Sequence, residues 1–427
     1  MHPNIWYPFT ILKGAQVPTK AESGHGIWLT LENGHEIVDC ISSWWVNLHG
    51  HSHPAIIKAI QSQAEKLEHV IFANFTHEPA EKLAVRLTEK LPRNLKRVFF
   101  SDNGSTAVEI ALKVAWQYWR NNHQNRKKFI AFEGAYHGDT FGAMSAGARS
   151  LFTQIFSDLL FEVEYLPWPE TWMEAEDVGK REDQVIEVLE KKLSQHPETY
   201  AGIILEPLVQ GAGGMRMCRE EFLQKLHWVQ RQFDTLLIFD EVMTGFGRTG
   251  DWFASTRAQV EPDIICLAKG ITGGFLPLAV TVCSEEIYQS FYSDDPLETL
   301  WHGHSYTANP LGCAAALASL DLLEKNQEHF KSMEKIHEEC LRSMESLDYI
   351  HKTRVMGTIA AFSIENEEES GYLNKIGKQI KQRCVDYDLL LRPLGDVVYL
   401  MPPYCITQSE LEMVYGKLEA LLKDLEL

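Results

Sequence analysis

The sequence predicts an α/β protein in which a large domain with a mainly parallel sheet flanked by helices is joined to a smaller α+β domain. Three observations carry that prediction. From about residue 55 to 310, short apolar runs alternate with amphipathic stretches, the rhythm of a sheet covered on both faces. After residue 310 the rhythm changes to one long helical run, then strands, then a closing helix. The chain has 427 residues, more than a single core usually serves, so a second domain is expected.

The elements follow in chain order. Residues 27–39 (IWLTLENGHEIVD) alternate about Asn33-Gly34, a pair that tolerates the positive φ of a tight hairpin. Residues 1–54 are therefore assigned to an N-terminal segment that joins the small domain. RVFF then TAVEIALKVAWQYW, KFIAF, DQVIEVLEKKL then AGIILEP, EEFLQKLHWVQRQF then TLLIFD, DIICLAKG and LAVTVC fill the large domain, residues 55–310. Residues 311–427 form the C-terminal small domain, with the helical run GCAAALASLDLLEK, strands TIAAFSIE and VVYLMPP, and the amphipathic SELEMVYGKLEALLKDL. The charged stretch from Glu174 to Asp183 reads as a solvated loop or helix start.

Composition narrows the function classes. Forty basic against 59 acidic residues give a net charge of −19, which opposes binding to nucleic acid or an anionic membrane surface and favours small-molecule substrates. The N-terminal MHPNIWYPFTILKG lacks the basic start and apolar core of a secretory signal, and no apolar run is long enough for a membrane span. A cytoplasmic protein is expected. The eight cysteines are scattered and never form CxxC, so they read as reduced, structural thiols.

Two strand exits carry the chemistry. LLIFDEV ends an apolar run in Asp240, and IICLAKG ends the next in Lys269. Separately, Asp240 reads as a turn or helix cap and Lys269 as a lysine reaching solvent. Together they supply a carboxylate to keep a pyridine nitrogen protonated and an amine to form a Schiff base with an aldehyde, which is the chemistry of pyridoxal 5′-phosphate. The GITGG that follows leaves room for a bulky ring against the backbone.

Other motifs fit that cofactor, each beside a plainer reading. In SDNGST, between strand RVFF and a strong helix, Gly104 allows close approach and Ser105 adds a hydroxyl beside helix N-terminal amides, so the segment reads as a phosphate cradle or as simple N-capping. Tyr136 in GAYHGD leaves strand KFIAF and is placed to stack on a ring or to fill a surface groove. Residues 245–250 match GxGxxG, which raises a nicotinamide-dependent oxidoreductase as the rival function. The context opposes it, because no amphipathic helix begins at the glycines and Asp240 and Glu241 crowd the pyrophosphate approach. His49, His51, His53, His302 and His304 lack the helical spacing and carboxylate partners of a metal site, so no metal is expected. Trp44 and Trp45 read as core filling or as an apolar wall for a long alkyl substrate.

With these residues in view, the chain resembles the class III aminotransferases of the fold-type I pyridoxal-phosphate superfamily over nearly its full length. The series SDNGSTAVEIALKVAWQY, YHGDT, IILEP, FDEVMTGFGRTG and LAKGITGG keeps that family's order and spacing. ISSWW, VQGAGGM, YHGDTFGAMS and RPLGDVVYLMPPY are most similar to its branch that forms 7,8-diaminononanoate for biotin. The resemblance implies that Lys269 carries the cofactor, Asp240 meets the pyridine nitrogen, Gly104 and Ser105 hold the phosphate, and Tyr136 stacks on the ring. It further implies a homodimer with composite sites, in which His304 and Ser305 complete the phosphate site across the interface and Gly303 approaches the substrate. Arg392 in LLLRPLG is implied to bind the distal carboxylate of 8-amino-7-oxononanoate, with Trp44 lining the alkyl slot. WYPFT places Phe9 where many members carry a tyrosine, and HGHSYTAN replaces the commoner HGPTFMGN type. Both departures resemble relatives that take lysine as donor, whereas Trp45 favours S-adenosylmethionine. Another class III ω-amine or diamine aminotransferase is the alternative.

Overall fold

The computed structural model describes residues 2–344, 347–365, 371 and 374–425. Its centre is a seven-stranded sheet with spatial order Leu95–Ser101, Ala279–Ser284, Ile264–Leu267, Leu236–Asp240, Tyr200–Leu205, Lys128–Phe132, Val163–Leu166. Six strands run the same way, and Ala279–Ser284 runs against both neighbours. The central strands are buried on both faces. Leu237, Phe239, Ile265 and Leu267 pack into one apolar layer, and Leu236, Ile238, Ile264 and Cys266 into the other. That two-sided burial is why these segments read as continuous apolar runs. Each buried Leu, Ile or Phe contributes about 1.5–3 kcal/mol.

Helices cover the two layers. Gly104–Asn121 lies on one face, with Trp119 donating its indole N–H to the Ala201 carbonyl at 2.8 Å. Glu78–Lys90, Val178–Gln195 and Glu220–Gln232 present their apolar sides to the other. The segment expected to be solvated runs into the helix Val178–Gln195, but Glu182 within it is buried. It accepts from Arg219 at 2.7 and 2.8 Å and from Lys225 at 3.3 Å, so two cations compensate a carboxylate that sequence alone assigned to water.

Among the described residues there are three smaller sheets, the least of them pairing Val209–Gln210 with Arg216–Met217. The expected hairpin is present as Trp28–Leu31 and Glu36–Asp39, preceded by Ala21–His25. Its inner strand pairs in parallel with Leu389–Leu390, matching Leu389 to Val38 and Leu390 to Asp39. Ile350–Met356, Ile359–Ile364 and Val397–Leu400 form an antiparallel sheet. The helices Pro310–Lys325 and Gln408–Lys423 occupy the two helical runs expected near the C-terminus. Among the described residues no helix is long and apolar enough to cross a membrane.

Candidate active site

A cavity of about 700 Å³ opens at the carboxyl ends of the parallel strands, where strand-end residues converge in this class of sheet. Asp240 ends the middle strand, Glu206 directly follows the strand on one side of it, and Lys269 follows the strand on the other by two residues. Gly104, Ser105, Tyr136 and Trp45 complete the wall.

The electrostatics follow from burial. Lys269 begins a single 3-10 turn at a φ of 44°, a left-handed conformation that costs a non-glycine residue roughly 1–3 kcal/mol. Burial lowers its ammonium pKa. Asp240 and Glu206 pull it back up, and the Arg248 guanidinium pushes it down again. Its Nζ lies 5.1 Å from the Trp45 ring centroid. Asp240 accepts from the Val242 amide at 3.1 Å through Oδ1 and shares a 2.7 Å hydrogen bond with His137 Nδ1 through Oδ2. Glu206 accepts the amides of Tyr136 at 3.0 Å and Gly211 at 2.9 Å.

A helix N-terminus opens onto the cavity. Asn103 caps the helix Gly104–Asn121 by accepting from Thr106 N at 3.0 Å in a capping box. The amides of Gly104 and Ser105, in the first turn, have no intrahelical acceptor and are left to bind an anion. Asn103 therefore supplies the cap, and Gly104 and Ser105 line the cavity beside it. A side chain at position 104 would meet Val242 Cγ1 at 2.6 Å, and one at 138 would meet Ser105 Oγ at 2.3 Å, so larger residues would fill the space. His137 Nε2 is buried with no partner among the described residues. An amine of lowered pKa, an acid held by histidine, and an open amide cradle fit a phosphorylated pyridine aldehyde.

The remaining expected residues form two other groups. Arg392 lies 4.3 Å over the Trp44 ring, and Phe9 meets Trp44 edge-on at 5.6 Å and Phe152 at 5.8 Å. These stand next to the cavity wall through Trp45. Gly303, His304 and Ser305 lie on the largely exposed segment 301–306 and do not line this cavity. Sequence reasoning gave His137 and Glu206 no role. Glu206 shares the Asp240 signal, a carboxylate at the exit of a buried strand. His137 meets Asp240 across 103 positions, which no local pattern reveals.

The rival motif at 245–250 is a structural turn. Phe246 is buried, and Arg248 donates to the carbonyls of Pro402, Trp45 and Asn47 at 3.3–3.4 Å. Glu241 faces away from the cavity to cap the helix Ala254–Ala258 through the amides of Ala254 and Ser255 at 2.6 and 2.7 Å. The histidines have local partners too: His49 meets Ser319 Oγ at 2.9 Å, His51 meets Asp39, and His53 caps the helix Pro54–Ala64. Among the described residues no group of three or more side chains is arranged to hold a metal ion.

A mainly parallel sheet with an amine and two acids at its strand ends defines a pyridoxal-phosphate transferase of fold type I. The sequence profile of aminotransferase class III matches residues 12–422, and the chain belongs to that family. It is thus a pyridoxal-phosphate-dependent aminotransferase. Adenosylmethionine-8-amino-7-oxononanoate aminotransferase of Synechococcus elongatus is 54% identical over 424 residues, covering 99% of each chain. The crystal structure of the enzyme of that name from Methanocaldococcus jannaschii superimposes with a TM-score of 0.92 at 34% identity, covering 99% of this chain and 98% of that one. A PLP-bound amine transaminase from an uncultivated Pseudomonas species superimposes at 0.93 with 29% identity over 99% of both.

Burial pushes the Glu206 carboxyl up from its ordinary 4.5 to about 7, with His137 drawing it down and Asp240 raising it further. The folded protein holds that proton more tightly than the unfolded chain. This group's contribution to stability is therefore full below pH 4.5 and is lost as pH rises to about 7. In cofactor-free protein, Glu206→Gln is expected to flatten the dependence of thermal midpoint on pH across that window. An unchanged slope would assign the titration elsewhere.

Proposed function

We propose that this aminotransferase converts 8-amino-7-oxononanoate to 7,8-diaminononanoate in cytoplasmic biotin synthesis, with S-adenosylmethionine as donor and lysine as the alternative. The observation that carries the reading is full-length similarity, at 34–54% identity, to enzymes named for that acceptor and donor. The geometry agrees with it. Trp45 lies by Lys269 in the cavity and its chain neighbour Trp44 lies beneath the Arg392 guanidinium, which suits a ketone whose chain ends in a carboxylate. Residues 55–310 serve as the cofactor-binding domain, and 1–54 with 311–427 as the small domain.

Pyridoxal 5′-phosphate supplies an aldehyde for amines and a ring that absorbs the electron pair released when a donor carbon loses its proton. Gly104 and Ser105 would hold its phosphate, Tyr136 would lie against its ring, and Asp240, oriented by His137, would keep its nitrogen protonated. Lys269 Nζ, favoured in its neutral form by burial, would hold the cofactor through its aldehyde and, when free, would move the proton off the donor carbon. Trp45 and Met243, which line the cavity, would present apolar surface to that transfer. In a homodimer, His304 and Ser305 would complete the neighbouring protomer's phosphate site, with Gly303 near its substrate. Their position on an exposed segment away from this chain's own cavity supports that arrangement.

Adding S-adenosylmethionine or lysine separately to the holoenzyme is expected to bleach the cofactor's aldehyde absorbance with the true donor, and 8-amino-7-oxononanoate should restore it. No recovery with that ketone overturns the acceptor assignment. A charge-assisted hydrogen bond contributes about 1.5–3 kcal/mol, so Arg392→Ala is expected to raise the acceptor KM about 10- to 100-fold while bleaching by the donor keeps its rate. Co-expressing Lys269→Ala with a His304→Ala/Ser305→Ala chain should give mixed dimers more active than either parent. Failure of that complementation would exclude composite sites.

A further inference from the structure

The turn that carries the tryptophan pair has a backbone its own residues disfavour. Ser42, Ser43 and Trp45 have φ values of 51°, 61° and 68°, with no glycine among them. Ser43 adds a ψ of −63°, near a rare, strained γ-turn geometry. Something outside the turn must therefore hold it.

Asp39 is the strongest tie. It is fully buried, and its Oδ1 accepts the amides of Ile41 at 3.2 Å and Ser43 at 2.9 Å. Its Oδ2 accepts the Ser43 hydroxyl at 3.0 Å and pairs with His51 Nε2 at 2.9 Å. The far side is fastened by Ser42 Oγ to the Met401 carbonyl at 2.7 Å and by the Trp45 indole N–H to Tyr399 Oη at 2.9 Å. The result separates two adjacent indoles. Trp45 is 4% exposed and faces Lys269, whereas Trp44 is 38% exposed and lies beneath Arg392.

We infer that Asp39 and His51 are positioning residues for acceptor selection, holding the strained turn that sets the lateral wall and the far end of the substrate slot. Neither lines the cavity, so both act through the tryptophans. The inference rests on the proposed long-chain acid acceptor. If Asp39 is lost, the turn relaxes toward ordinary backbone angles and both indoles rotate away from Lys269 and Arg392.

The test uses holoenzyme and nonanoate, which carries a chain and carboxylate like the acceptor's but no ketone. Asp39→Asn is expected to weaken nonanoate binding about tenfold and His51→Gln about threefold. Both should change the near-UV circular dichroism of the tryptophans, and borohydride should still fix cofactor to Lys269 as in the parent. Adding Ser43→Gly to Asp39→Asn should recover most of the binding, because glycine adopts positive φ without strain. A general loss of stability would gain nothing from that glycine. Unaltered binding and circular dichroism in Asp39→Asn, or no recovery with Ser43→Gly, would overturn the inference. If the parent itself fails to bind nonanoate, the acceptor assignment is what fails, and the circular dichroism still decides whether Asp39 holds the turn.

Discussion

Enclosing an amine among carboxylates at the open edge of a sheet is the constraint on which the site depends. An ammonium surrounded by protein is costly and drifts toward its neutral form. Asp240 and Glu206 oppose that drift, and burial together with Arg248 promotes it. Three neighbouring parallel strands deliver the three groups, so the balance is set by sheet order and not by any one loop. The helix Gly104–Asn121 packs an apolar face on the sheet and brings its first turn to the cavity.

Residues whose environment is local were legible in the sequence. Apolar runs ending in Asp240 and Lys269 announced strand exits, and the helix after Asn103 announced its own cap. Glu206 obeyed the same strand-exit rule and was passed over. The reversed direction of Ala279–Ser284 was not legible, because a strand buried on both faces has the same apolar pattern whichever way it runs. Glu182 escaped because its charge suggested solvent, while its compensating cations, Arg219 and Lys225, lie about forty positions away, at the cap and in the first turns of another helix.

The divergence of Trp44 and Trp45 had a different cause. The adjacent tryptophans read as core filling or as an apolar wall, whereas left-handed angles at non-glycine positions have no sequence signature. The same reasoning disposes of the GxGxxG match. Its glycines at 247 and 250 do have positive φ, but they serve a turn whose Arg248 clamps the carbonyls of the tryptophan segment. A pattern suited to one ligand is here used to brace the wall of a site for another.

The short parallel pairing of Leu389–Leu390 with Val38–Asp39 has a consequence beyond joining the two ends of the chain. Asp39 begins the segment leading to Trp44, and Leu390 lies two residues before Arg392, so this two-rung ladder acts as a gauge between the aromatic floor and the guanidinium. Slipping its register by one residue would displace one jaw by about 3.3 Å. The placement of Arg392 over Trp44 is in that sense written into a strand pairing outside the pocket.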